Sequence, residues 1–302
     1  MQDSKNPLVS FVILTYNHAD FVKDTLMGAL SQDYPNMEII VSDDASPDDT
    51  YSILEDLTKN IDSDKRVILN KNKQNMGLIP HLNFVLENLV HGEVVFFAGG
   101  DDISLSNRVS DTISAFDADE SVLAVTGQLI KIDKYGKEMS IQPTPYKGGI
   151  YSLCDEYIRT LTFMCGGAGL AFKKSVWDTF GPFLEICPTD DSTMRFRTLL
   201  MGNIYVSPNV FIKYRIHNNN LSRPANVYNL QTQGIVAQYE RDLQLARNKN
   251  LISEDCAKRI EQKILLYNKN REYSAAKNGK VVFVKAIYKV LQFFVQKKII
   301  KI

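Results

Sequence analysis

Three stretches of this chain set two carboxylates side by side at the edge of an apolar or helical pattern. MEIIVSDD closes on Asp43 and Asp44, and VVFFAGGDDIS on Asp101 and Asp102 after Gly99 and Gly100. PTDDSTMRFRTLLMG opens a helical pattern on Asp190 and Asp191. A further run, LVSFVILTYN, ends on Thr15, Tyr16 and Asn17. Such pairs have two ordinary explanations. A side-chain oxygen can cap the N–H groups of the next helix, or the carboxylates can hold a hard cation. A cap uses one side chain, so the Asp101–Asp102 pair after a double glycine favours the cation. Asp43 and Asp44 lie in SDDASPDD, whose composition also suits a turn. Asp190 and Asp191 would complement a helix dipole without any catalytic role.

The elements around these residues bring most of them together. Apolar runs at residues 8–15, 37–44, 66–70 and 93–99 alternate with helical patterns in which apolar residues recur three and four apart. This alternation predicts an α/β fold, a doubly wound, mostly parallel sheet with helices on both faces. Ligands of open α/β sheets bind at the carboxyl ends of the strands. Thr15, Tyr16, Asn17, Asp43, Asp44, Asp101 and Asp102 should therefore converge on one rim. Convergent carboxylates suit magnesium or manganese, and magnesium keeps several positions for water and phosphate oxygens. Neither GxxxxGK[ST] nor GxGxxG occurs, which argues against a P-loop or dinucleotide fold.

The second half is less regular. VLAVTGQLIKID reads as a strand entering a hairpin at KYGKE, and NIYVSPNVFIKYRIH as two short strands broken at Ser207–Pro208. Trp177 is either core or cleft lining. Beyond Asn229 the pattern is helical throughout, and GKVVFVKAIYKVLQFFVQKKIIKI carries a narrow polar stripe, a wide apolar face and clustered lysines. Residues 280–302 fit an interfacial helix on anionic lipid, and the competing reading is a helix packed on protein.

Composition narrows the class. The 302 residues are 44% hydrophobic and 23% charged, which is globular. Basic and acidic residues balance at 35 each, giving no sign of a nucleic-acid partner. Four cysteines without CxxC spacing read as free thiols of a reducing compartment. MQDSKNPLVS lacks the pattern of a signal peptide. No uncharged apolar run approaches the roughly 18 residues that span a bilayer. The expectation is a cytoplasmic protein, soluble or peripheral on the inner face of the membrane.

Four ordered motifs together resemble a family 2 glycosyltransferase of the GT-A fold, over about residues 7–223. They are VSFVILTYNHADFVKDTLMGALSQDYPNMEIIVSDDASPDDT, the DxD-type segment FFAGGDDIS, the acidic pair in PTDDSTMRF, and the tail YRIHNNNLS. The resemblance implies that Thr15, Tyr16 and Asp44 bind the nucleoside, Asp44 near the base or ribose, with Asn17 and Asp43 also at the nucleotide and Asp101 beside the ribose. Asp102 would ligate Mn2+ or Mg2+ at the diphosphate, and His217 would approach the metal. Asp191 would be the general base, with Asp190 beside it where the family more often has glutamate. The implied domains are a GT-A unit at 1–223 and a helical region at 224–302. Within the first, 7–100 would be the nucleotide half and 101–223 the acceptor half.

These roles form a consistent reaction. A carboxylate takes the proton of the acceptor hydroxyl, and a cation stabilises charge on the leaving nucleoside diphosphate. One displacement with one base inverts the anomeric centre. The expected donor is a nucleotide sugar, by resemblance a UDP-sugar. The acceptor would be a glycan, lipid-linked if the terminal helix meets membrane, as in surface polysaccharide synthesis. A sugar nucleotidyltransferase should show a glycine-rich, arginine-containing loop after the first strand, which TYNHAD lacks. A non-catalytic carbohydrate-binding subunit should have lost carboxylates that this chain keeps.

Overall fold

The computed structural model describes residues 6–61, 63–142, 148–153, 167–220 and 232–276. Cys154, Cys165, the boundary near residue 223 and the basic segment 280–302 lie outside them. The first half alternates as its apolar runs require: β1 (Val9–Thr15), α1 (Val22–Leu30), β2 (Met37–Asp43), α2 (Thr50–Lys59), β3 (Arg66–Lys71), α3 (Leu78–Asn88) and β4 (Val94–Gly99). The chain continues with β5 (Ile103–Ser104), α4 (Arg108–Ala118), β6 (Val122–Ile132), β7 (Glu138–Gln142) and β8 (Gly149–Tyr151). It ends with β9 (Ala171–Lys173), α5 (Lys174–Phe180), α6 (Asp191–Met201), β10 (Asn203–Arg215), α7 (Thr232–Asn248) and α8 (Glu254–Ala276).

One mixed sheet runs in the order β3-β2-β1-β4-β9-β6-β10-β5. Strands β3, β2, β1 and β4 are parallel, and β9 enters antiparallel between β4 and β6. The central strands are buried on both sides, which is why they read as unbroken apolar runs instead of alternating ones. Alternate residues feed two cores. Phe11, Ile13, Ile39, Val41 and Phe96 pack with Leu26 of α1, Leu54 of α2 and Ile113 of α4. Val12, Ile40, Val95 and Phe97 pack with Leu82 and Val85 of α3 and with Phe196 of α6. Chain order reverses at β1, which has β2 on one side and β4 on the other, so the switch point lies between β1 and β4.

The C-terminal helices belong to this second core, to which Val236, Tyr239 and Leu243 of α7 and Ile260 of α8 contribute. The junction is also polar. Arg197 of α6 donates to both oxygens of Asp242 of α7, at 2.8 and 3.2 Å, with both residues fully buried. Gln238 donates to the same carboxylate at 3.0 Å. Trp177 resolves to core, 5% exposed and edge-on to Phe183.

Two expectations change. The segment from 203 to 215 is one strand and not two, because β6 accompanies it throughout and absorbs Pro208 in register shifts between Val206 and Ile212. The helix after the double aspartate begins only at Arg108, beyond β5, so Asp101 and Asp102 do not cap it.

Candidate active site

The loop after β1 and the loop after β2 are sewn together by side chains. Thr15 donates to Asp43 Oδ1 at 3.0 Å, and Asp43 Oδ2 accepts the Ser46 N–H at 2.9 Å. Ser46 Oγ in turn accepts the Asn17 N–H at 2.9 Å. Asp48 accepts from Ala19 N, and Thr50 Oγ1 accepts from His18 N. Two non-glycine residues take left-handed backbone at these turns, Asn17 at φ 60° and Ala45 at φ 56°. For alanine that conformation costs about 1 kcal/mol, which the surrounding hydrogen bonds offset. Asp43 and Thr15 are buried, so they hold the rim from beneath, while Tyr16 stands 45% exposed above it.

Asp44 is gripped from a third direction. Its Oδ1 accepts from Asn72 Nδ2 at 2.8 Å and from Met76 N at 2.9 Å, and its Oδ2 accepts from Gly77 N at 2.9 Å. Three of roughly four lone-pair positions are filled. The carboxylate is therefore fixed in direction, and one acceptor position remains to meet a donor.

The double aspartate turns at the end of β4. A Cβ on Gly100 would lie 2.5 Å from His18 Nδ1 and 2.8 Å from Thr15 Cγ2, and one on Gly99 would lie 2.7 Å from Asp101 Oδ1. The glycines thus make room for side chains of the site itself. Asp101 Oδ2 pairs with His217 Nε2 at 2.9 Å and accepts from Asn220 Nδ2 at 3.3 Å. His217 therefore stands against Asp101, and Asp102 is held otherwise, its Oδ1 accepting the Arg215 N–H at 2.9 Å. Asp102 is buried, and burial together with the charge of Asp101 lifts its carboxyl well above the usual carboxylate range.

Arg215 organises this turn. Its guanidinium donates to the Asp101 carbonyl at 2.9 Å, the Lys134 carbonyl at 3.1 Å and Asp24 Oδ2 at 2.9 Å. It also stacks over Phe21, whose ring meets that of His217 at 4.8 Å. Beneath the same turn Arg108 is fully buried, 5.4 Å from the ring centroids of both Phe11 and Phe96, and donates to Ser104 Oγ at 2.9 Å and Phe97 O at 2.9 Å.

The acidic pair of α6 is built differently. Asp191 forms an ion pair with Arg195 one turn on, at 3.1 Å, and its side chain is 35% exposed. Asp190 occupies the N-cap position but makes no side-chain cap bond. Burial, then the neighbouring Asp191 charge, pushes the Asp190 carboxyl up to about 6. One carboxylate is thus compensated and its neighbour is unusually basic.

Arg215 and His18 lay inside quoted motifs, YRIH and TYNHAD, yet nothing local gave them a role; both act through residues distant in sequence. Asn72 is a further site residue without a sequence signal beyond its amide type, and Asn220 lay unassigned inside the quoted tail YRIHNNNLS.

The sheet order, the switch point and the acidic rim are those of an open α/β sheet with a ligand-binding edge, and comparison with known proteins gives its family. The model of glycosyl transferase family 2 matches residues 10–180, more than half of the chain, and this protein belongs to that family. It is 26% identical over 249 residues to an uncharacterized glycosyltransferase of Haemophilus influenzae, covering 78% of this chain and 73% of that one. Over 126 residues it is 32% identical to the UDP-Glc:alpha-D-GlcNAc-diphosphoundecaprenol beta-1,3-glucosyltransferase WfaP of Escherichia coli. That match covers 42% of this chain and 48% of the relative, so the chain spans about half its length. Among solved structures, S. aureus TarS 1-349 in complex with UDP-GlcNAc matches with a TM-score of 0.62 at 20% identity, over 90% of this chain and 76% of that one. The mannosyltransferase PcManGT of Pyrobaculum calidifontis, in complex with GDP-Man and Mn2+, matches with a TM-score of 0.58 at 20% identity, over 96% and 81%. At such identities the structures establish a shared fold. The protein is a glycosyltransferase with the mixed α/β GT-A architecture.

Proposed function

We propose that this protein transfers a sugar, with inversion, from a UDP-sugar to a hydroxyl of a lipid-linked glycan in cell-surface polysaccharide synthesis. The observation that carries the reading is the convergence of Thr15, Asp44, Asp101 and Asp102 at the carboxyl ends of β1, β2 and β4. The E. coli relative's name, with its UDP-Glc donor and diphosphoundecaprenol acceptor, supports the choice of substrates. Among the described residues no helix is long and apolar enough to cross a membrane, and attachment through residues 280–302 to the inner membrane face belongs to this proposal. So does the division at residue 223 into a transferase unit and a helical region.

In this reading Asp44 receives the nucleobase and Tyr16 covers it, on loops that Asp43, Thr15 and Asn17 hold in place. Asp102 would hold Mn2+ or Mg2+, with Asp101 and its partner His217 beside it. The donor set fits: adjacent carboxylates, one buried with its carboxyl raised by its neighbour's charge, gain from a divalent cation. No three His, Cys, Asp or Glu side chains form a closed cage among the described residues, and magnesium needs only one or two protein carboxylates. When bound, the cation would stabilise charge on the leaving diphosphate. Arg215 holds both sides of the turn, through its N–H to Asp102 and its guanidinium to the Asp101 carbonyl.

The acidic pair supplies the base. Asp191 occupies the position the family resemblance implies, and its ion pair with Arg195 fixes it. Asp190 beside it has a carboxyl that burial and then the Asp191 charge push up to about 6. Asp190 is still ionised at neutral pH, so its charge stands beside the carboxylate that takes the hydroxyl proton.

The test is nucleoside diphosphate release across UDP-, GDP-, CDP- and dTDP-sugars, with Mn2+, Mg2+ or EDTA, in wild type and Asp102→Asn. Release with one donor class, abolished by EDTA and reduced about 1,000-fold in Asp102→Asn, is expected. Full turnover in EDTA would sink the metal role, and release from no donor with either metal would sink the whole reading.

A further inference from the structure

The nucleobase carboxylate has a second line of support that starts on a helix and crosses two strands. His81 lies one turn into α3, 2% exposed, and its Nε2 meets Ser42 Oγ of β2 at 2.7 Å. Ser42 Oγ accepts from Asn70 Nδ2 of β3 at 2.8 Å. The same Asn70 amide donates to Asn72 Oδ1 at 3.2 Å, and Asn72 Nδ2 donates to Asp44 Oδ1 at 2.8 Å. Asn72 and Ser42 are buried. The chain of contacts is continuous, partly exposed only at Asn70, and ends on the carboxylate.

Helix α3 therefore holds the end of β2 at two points on one face. Gly77 N–H reaches Asp44 directly, and four residues later the His81 ring reaches Ser42, two residues back along β2. His81 N–H also closes the first turn on the Gly77 carbonyl, at 3.0 Å. Moving the imidazole would shift both the α3 N-terminus and the Asn70–Asn72 amides. A buried polar relay transmits such a change because leaving any one member unpaired costs the desolvation of that group.

We propose that His81 is a positioning residue for nucleotide recognition, acting through Ser42, Asn70 and Asn72 to aim Asp44 at the base. This rests on the assignment of Asp44 to the nucleoside. His81 itself touches no reacting atom. Its contribution belongs to donor affinity, and the acidic pair that would act on the acceptor hydroxyl lies on another helix.

The experiment is calorimetric titration of the full chain with UDP in the presence of Mn2+. It compares wild type, His81→Leu, His81→Gln and Ser42→Ala. Leucine keeps volume and removes the bond to Ser42, whereas glutamine places an amide within reach of it. His81→Leu and Ser42→Ala should each weaken UDP binding by about tenfold, and His81→Gln should stay within about twofold of wild type. Should His81→Leu fail to fold, Ser42→Ala carries the same test, since it removes one buried hydroxyl. Unchanged affinity in Ser42→Ala and His81→Leu would overturn the relay while leaving the nucleotide site intact. Equal loss in His81→Leu and His81→Gln would overturn it too, assigning the effect to packing. A wild type that binds none of UDP, GDP, CDP or ADP would overturn the Asp44 assignment and the relay together.

Discussion

The loops at the carboxyl ends of β1, β2 and β4 and the acidic pair of α6 use carboxylates in opposite ways. Asp43, Asp44 and Asp101 each meet two or three donors, those of Asp44 and Asp101 supplied by segments distant in sequence and those of Asp43 by Thr15 and the nearby Ser46. Their positions are fixed, and half or more of their acceptor capacity is spent on the protein. Asp190 has no side-chain cap bond and sits beside another carboxylate. The first arrangement suits recognition, which needs groups held in advance of the ligand. The second suits proton abstraction by Asp191, because an incompletely satisfied neighbouring charge stands beside it.

The largest effect that would break this contrast lies in the acidic pair. Asp191→Asn and Asp190→Asn should each lower transfer to acceptor by about 100- to 10,000-fold while leaving UDP affinity within about twofold. Loss of UDP binding in either variant, measured by the same calorimetry, would show that the two regions are not separate. The pH profile sharpens the point. Asp190, raised to about 6, takes up a proton below that pH and its charge no longer stands beside the Asp191 base. The value of kcat/KM should therefore fall as pH drops below about 6 and level off above it. In the fold the sign is opposite: a raised carboxyl favours the protonated native state, and that contribution is present at low pH and lost as pH rises through about 6. Asp190→Asn should accordingly unfold a few degrees higher than wild type at pH 7.5.

A smaller effect is expected at Arg215. Arg215→Met leaves the Asp101 and Lys134 carbonyls short of a donor inside the protein, at a cost of about 2–3 kcal/mol in denaturant unfolding. Because its backbone N–H still serves Asp102, metal-dependent turnover should be weakened and not abolished. Smallest is Gly100→Ala, whose Cβ must displace His18 or Thr15 and should cost about 1–3 kcal/mol. Its UDP affinity should fall with its stability, whereas that of the α6 variants should not. A Gly100→Ala protein as stable as wild type would mean that the glycine answers to ligand approach alone.

Much of this was legible. The four parallel strands were visible as apolar runs, and every rim residue was placed by the point where a run stopped. The family tail at Tyr214–Arg215–Ile216–His217 was visible too, but Arg215 had no role there because its partners Asp24 and Asp101 are more than 100 residues away. The double glycine marked the cation reading in the sequence, and in the fold it makes room for His18 and Asp101. Strand β5 was missed because two residues carry no period, and β10 was divided at Pro208 because the accompanying β6 cannot be seen from the segment itself. The acidic pair is an instructive mixed case. Its ion pair to Arg195 follows from helical spacing alone, whereas the basicity of Asp190 comes from burial.

By itself the sequence determined the parallel sheet, its two-sided core and the ring of carboxylates at its edge. These follow from residue type and period along a single segment, since a buried strand must be apolar and its polar residues must wait for the end. Tertiary structure decided which oxygen meets which donor: His217 on Asp101 and not Asp102, Asn72 and Gly77 on Asp44, His81 on Ser42. Those pairings depend on strand register and loop path across separate elements, and local periodicity encodes neither.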